Sequence, residues 1–204
     1  MTDPNITTVL LDLDGVVRHF DAGHVSAVER AHGLDPGVLI AAAFDPDLLG
    51  LVTTGRIPRR EWVRRIGATV GHASAAQEWL AALGVVDATM LAEVEGLRAR
   101  GLRVALLTNG TDTIDGELAA LCLDGCFDAV FNSATIGFAK PDPRVFRHVC
   151  DELQVRPPEV FFVDDSVANV AAAIDVGISA THFVDVDSFR AALVRVGVGI
   201  GEQE

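Results

Sequence analysis

Five short apolar runs, each followed by a helical pattern, constrain this chain more than any other property. They are Ile6 to Leu11, Arg103 to Leu107, Ala129 to Phe131, Val160 to Val163 and Ser179 to Val184. Their length and β-branched content predict buried strands. Ala88 to Arg100, Asp115 to Leu123, Pro143 to Leu153 and Ser166 to Val176 carry helical spacing, and Asp187 to Val196 predicts a last helix. Gly101 and Gly177 stand where two of these helices should stop, because glycine accepts the left-handed backbone that closes a helix. Strands alternating with helices predict an α/β fold, a parallel sheet covered on both faces.

Val17 to Asp87 breaks the alternation. It offers no convincing strand, and Val25 to Ala31, Pro36 to Phe44, Pro58 to Val70 and Ala73 to Leu83 read as helices. The expectation is an all-helical domain over residues 17–87, inserted into a core made of residues 1–16 and 88–204. The insert is nearly balanced in charge, with eight acids against seven arginines.

The whole chain is not balanced. Its 204 residues hold 29 acids and 16 bases, a net charge of -13. Phosphate backbones and anionic lipid draw on basic surfaces, so neither nucleic acid nor a membrane is an expected partner. No apolar run approaches the roughly 18 residues that span a bilayer. Met1 to Thr8 lacks a basic start and an apolar stretch, and Cys122, Cys126 and Cys150 form no disulfide framework. These readings predict a cytoplasmic protein. Among the bases, Lys140 is the only lysine.

Four polar clusters follow the strands. Asp12-Leu13-Asp14-Gly15 ends the first run; two carboxylates two residues apart on an extended chain point the same way. Ligands bind at the carboxyl ends of strands in parallel sheets, and a divalent cation would relieve the repulsion of such a pair. A tight Asp-Gly turn fits the same residues. Thr108-Asn109-Gly110 offers a hydroxyl, an amide and turn N–H groups to a phosphate, or an ordinary Asn-Gly turn. Lys140-Pro141-Asp142-Pro143 sets the lone lysine in the loop before a helix. Asp164-Asp165-Ser166 closes another buried run; a helix cap accounts for one acid there, not two.

Taken in this order, the clusters resemble the haloacid dehalogenase-like hydrolase superfamily, in its branch with a helical cap between the first and second motifs. The resemblance implies a Rossmann-like core, a mobile helical lid and Mg2+-dependent phosphoryl transfer on a small phosphorylated metabolite. It implies that Asp12 is the nucleophile that carries an aspartyl-phosphate, and Asp14 the acid/base. It assigns Thr108 and Asn109 to the phosphate and Lys140 to both the phosphate and Asp12. It assigns the metal to Asp12, the backbone carbonyl of Asp14, Asp165 and, directly or at one remove, Asp164. Asn169 stands where many members have a further acid, and is expected to orient ligands.

Retention of Asp14 favours phosphate ester cleavage over dehalogenation, since a halide needs no proton on leaving. A phosphonate-cleaving relative would need a cap lysine, and the cap has none. Substrate contacts are expected from Arg18 and His19 first, then from His24, Arg56, Trp62, Arg64 and Arg65, with Trp62 equally readable as a cap-core anchor. Two rivals stay open: a phosphomutase built on the same residues, and a non-catalytic module that binds a phospho-ligand.

Overall fold

The computed structural model describes residues 5–199; the outermost parts of the expected domain boundaries, 1–4 and 200–204, lie outside it. In chain order the elements are β1 (Thr8–Leu11), β2 (Arg18–His19), α1 (Ala22–Ala31), α2 (Val38–Ala43), α3 (Pro46–Thr53), α4 (Arg59–Thr69), α5 (Ala73–Leu80) and β3 (Val85–Val86). There follow α6 (Ala88–Ala99), β4 (Arg103–Thr108), α7 (Ile114–Ala120), β5 (Ala129–Asn132), α8 (Ser133–Ile136) and α9 (Pro143–Leu153). The chain continues through β6 (Val160–Asp164), α10 (Val167–Val176), β7 (Ser179–His182) and α11 (Val186–Arg195).

Five strands form one parallel sheet in the order β5-β4-β1-β6-β7. The first strand is therefore the middle one, with the order turning outward on both sides of it. Side chains alternate across the sheet and sort into two apolar layers. Val9, Leu11, Val104, Leu106, Phe161 and Val163 face one layer, which α6, α7 and α11 cover. Leu10, Ala105, Leu107, Val160 and Phe162 face the other, under α9 and α10. In that second layer Phe146 meets Phe162 edge to face, with ring centroids 5.2 Å apart. Such geometry adds about 0.5–1.5 kcal/mol beyond burial.

The register decides where chemistry can sit. Leu11 lies opposite both Leu106 and Val163, so the residues after β1, β4 and β6 emerge side by side at one edge. Helix stops act as expected: Gly177 caps α10 at φ 93°, and Gly101 follows α6 at φ 83°. Among the described residues no helix is long and apolar enough to cross a membrane.

The insert holds five helices around a core of its own, which includes Val28, Leu39, Val52, Trp62, Ile66 and Ala76. Two expectations need correction. The stretch is not strandless: Arg18↔Val86 and His19↔Val85 pair as a two-stranded antiparallel ribbon. Val16, Val17 and Val86 belong to the first layer of the main core, so the ribbon packs with the sheet domain. The second correction is α3, capped by Asp45, whose carboxylate accepts from the Leu48 N–H, with Pro46 in the first turn. The insert is pinned to the core at one seam. Ser133 Oγ donates to Thr53 O at 2.6 Å, Arg59 N donates to Asp112 Oδ1 at 2.6 Å, and Gly55 lies against the Ala134 carbonyl, with no room for a Cβ.

Candidate active site

Asp12 leaves the end of β1, its backbone N–H donating to Val163 O at 2.9 Å. Its carboxylate is buried and turns back on the chain, accepting from Leu13 N at 2.7 Å. Lys140 comes from the loop before α9 and is also buried. Its Nζ lies 2.8 Å from Asp12 Oδ1 and 2.7 Å from Asp164 Oδ2, so one ammonium bridges two strand ends. Asn109, at the end of β4, holds that loop: its Nδ2 donates to Lys140 O and its Oδ1 accepts from Lys140 N, both at 2.8 Å. The asparagine expected at a phosphate thus commits its carbonyl and one N–H to seating the lysine. Thr108, just before it, is buried at the same edge.

Asp164 is fully buried and its oxygens are taken. Besides Lys140 it accepts from Ser166 N at 2.8 Å and from Asn169 Nδ2 at 3.0 and 3.1 Å. Asn169, expected to orient waters or ligands, holds the carboxylate of Asp164. Asp165 is exposed, and its carboxylate presses against Gly15, which turns at φ 87°. Oxygens of Asp12, Asp164 and Asp165 all lie within 4.8 Å of one another.

One ammonium does not neutralise three carboxylates. Burial pushes the Asp12 carboxyl up; Lys140 opposes this and Asp164 reinforces it, leaving the group at about 7. Asp165 is raised as well, by desolvation and then by the charge of Asp164. Two acids pushed up beside a third is the electrostatic mark of a site short of positive charge.

Asp14 is not part of this cluster. Its side chain is 46% exposed and is gripped by Arg18, with Nε to Oδ1 at 2.6 Å and Nη2 to Oδ2 at 3.1 Å. Arg18, expected to face substrate, is buried and gives its remaining arm to Glu117 of α7, at 2.8 Å. His19 is exposed, with Nε2 3.5 Å from Asp87 Oδ2. Trp62 anchors the core of the insert, its Nε1 donating to Ala43 O at 3.3 Å. Arg64 and Arg65 both hold Glu61. Glu117 was missed by sequence reading, because nothing in its helical context marks it as the partner of a residue ninety-nine positions earlier.

Gly15 carries a direct test. A methyl there would collide with the Asp165 carboxylate at a backbone angle that L-residues resist. Gly15→Ala should lose about 1–2 kcal/mol from the left-handed backbone alone. The readout is a melting temperature several degrees lower, and an unchanged one would remove the constraint.

Residues 6–177 match the haloacid dehalogenase-like hydrolase family. A phosphatase of Mycobacterium tuberculosis is 30% identical over 208 residues, covering 95% of this chain and 92% of that protein. The sesquiterpene phosphatase of Aspergillus oryzae is 33% identical over 48% of this chain and 51% of its own length. Mouse acyl-CoA dehydrogenase family member 10 is 35% identical over 55% of this chain, but that match takes in only 10% of the mouse protein. The chain thus spans about half or less of the length of these last two relatives. Among solved structures, an HAD family enzyme of Bacteroides thetaiotaomicron, in complex with magnesium and inorganic phosphate, superposes with a TM-score of 0.76. At 24% identity over 91% of this chain and 99% of the other, that is a likeness of fold. With the profile match, the full-length relative and the shared fold together, this chain belongs to the haloacid dehalogenase-like hydrolase family.

Proposed function

We propose that this chain is a Mg2+-dependent phosphohydrolase of a small, cytoplasmic phosphorylated metabolite, working through an aspartyl-phosphate on Asp12. Residues 17–87 form its cap, and residues 1–16 and 88–204 its catalytic core. The supporting observation is the convergence of Asp12, Lys140, Asp164 and Asp165 at one sheet edge, with Asp14 two residues from Asp12. The phosphatase from Mycobacterium tuberculosis, alike over nearly its whole length, supports the same reaction class.

The donor set suits Mg2+. It is all oxygen, three acids face one ammonium, and two of those acids are held above their ordinary range, by burial first and then by the neighbouring charge of Asp164. Asp12, Asp165 and the Asp14 carbonyl would hold the ion, with Asp164 at its side. The ion would supply Lewis-acid stabilisation of charge on the phosphoryl oxygens.

A carboxylate oxygen of Asp12 attacks phosphorus while the bond to the ester oxygen breaks, and Asp14 gives that oxygen its proton. Asp14 then takes a proton from water. The water oxygen attacks phosphorus, and the bond to Asp12 breaks. The alcohol and inorganic phosphate leave, and both aspartates return to their starting state. Lys140 keeps the Asp12 oxygen in place and answers charge that gathers on the phosphoryl group. Thr108, the second Asn109 N–H and the turn amides after them receive the phosphate. His19 is the residue we assign to the leaving group.

The test is phosphate release from a generic aryl phosphate and a panel of phosphorylated metabolites. Release should need Mg2+, stop on chelation and return when Mg2+ is restored. Equal release in chelator would overturn the metal assignment. Isomer formation without free phosphate would make the chain a mutase, and tight binding without turnover a phospho-ligand module.

A further inference from the structure

We propose that Glu117 is a positioning residue: through Arg18 it fixes the carboxylate of Asp14, and it ties that carboxylate to the cap. The proposal rests on the acid/base reading of Asp14 given above.

A half-exposed aspartate on a loop is free to turn, and a misaimed acid/base loses its proton-transfer geometry. Here the Arg18 guanidinium grips Asp14 most closely through Oδ1, at 2.6 Å, and sets the plane of the group; Oδ2, at 3.1 Å, is the oxygen that carries and takes up the proton. Arg18 in turn has little freedom. It is buried under the Phe20 ring, 5.0 Å away, and beside Gly84, where a Cβ would come within 2.9 Å of Arg18 Cγ.

Glu117 finishes the frame. Its Oε2 accepts from Arg18 Nη1 at 2.8 Å, and its Oε1 accepts from Thr113 Oγ1 at 2.7 Å. Arg59, in the first turn of α4, brings Nη1 to 3.6 Å from the same Oε1 and donates through Nη2 to Leu80 O. One carboxylate thus joins the ribbon, a core helix and the insert. The chain of contacts runs Asp14, Arg18, Glu117, Arg59. Arg18 then acts on Asp14 and not on substrate, which replaces the expectation from its sequence position.

The test compares Glu117→Gln with wild type on two substrates. An alkyl phosphate needs its leaving oxygen protonated; 4-nitrophenyl phosphate releases a stable anion with little help. Glu117→Gln should lower kcat/KM for the alkyl ester by about 10-fold or more and for the nitrophenyl ester by less than about threefold. Arg18→Lys, which keeps the charge and loses the fork, should show the same selectivity, and the double variant should be no worse than Arg18→Lys alone. Equal losses on both substrates, or effects that multiply, would overturn the proposal and leave Glu117 a structural residue. If Glu117→Gln does not fold, Glu117→Asp, which keeps the charge but shortens the reach to Arg18, carries the same comparison. Asp14→Asn separates the levels. If it spares the alkyl ester, the acid/base reading fails. If it lowers the alkyl ester while Glu117→Gln does not, only the positioning role fails.

Discussion

Asp12→Asn is expected to lower Mg2+-dependent turnover by roughly 10^4 to 10^6, the scale seen when a covalent nucleophile is removed. The substitution is nearly isosteric. Asparagine keeps an oxygen to accept from Leu13 N and from Lys140 Nζ, so the fold should persist. It loses the anionic oxygen that attacks phosphorus. The same variant should be more stable than the parent in chelator. Burial raises the Asp12 carboxyl from 3.8 to about 7, so the folded state prefers it neutral. A raised carboxylate contributes stability below its unfolded value and loses it as pH climbs through the folded one. The parent is therefore weakened between about pH 4 and 7, and the neutral amide escapes that cost. Melting curves in chelator should show a larger gain for Asp12→Asn at pH 8 than at pH 5. A gain that does not grow with pH would mean that Lys140 already relieves the charge. Normal turnover in this variant would end the aspartyl-phosphate mechanism.

That trade is the physical reason the acids gathered at the sheet edge stand out in the sequence. Acids at the ends of apolar strands break the rule that buried stretches are apolar, and Asp12 and Asp164 break it in the middle of the sheet. The sheet itself is legible because its three central strands are buried on both faces, while the edge strands β5 and β7 are only partly covered, and helices separate the strands. Helix ends are legible at Gly177 and at Pro143 behind its Asp142 cap.

What escaped was short or long-range. The ribbon of Arg18–His19 with Val85–Val86 has two residues a side, too few to show a period of two, and its partners lie far apart in sequence. The four-residue helix Ser133–Ile136, closed by Asn132 and Gly137, is one turn and shows no amphipathic pattern. The helix Pro46–Thr53 is a different case, because Asp45-Pro46 was a start signal in plain view. Arg18 shows the limit most clearly. Its place just after Asp12 and Asp14 suggests a substrate contact, but its side chain pairs with Asp14 and with Glu117, whose proximity only the packed fold creates.

Lys140→Met should damage stability and activity together. The Lys140 side chain is 1% exposed, and its ammonium lies within 2.8 Å of both Asp12 and Asp164. Methionine fills similar space without charge, which leaves two facing carboxylates buried with no cation between them. Removing one partner from a buried ion pair costs about 3–5 kcal/mol. For a chain of this size that is a fall of roughly 6–20 °C in melting temperature. The carboxylates keep their other donors, Leu13 N for Asp12 and Ser166 N with Asn169 for Asp164, so the expected cost is one of charge more than of lost hydrogen bonds. Two controls separate those causes. Adding Asp164→Asn to Lys140→Met removes one of the stranded charges and should recover part of the stability but none of the activity. Mg2+ should raise the melting temperature of Lys140→Met more than that of the parent, because the divalent ion then supplies the only positive charge among three acids. If neither control restores stability, the lysine serves mainly as a packing group in its slot. Retained turnover in Lys140→Met would show that Asp12 attacks phosphorus without it, and the sole lysine of the chain would lose its assigned part in the reaction.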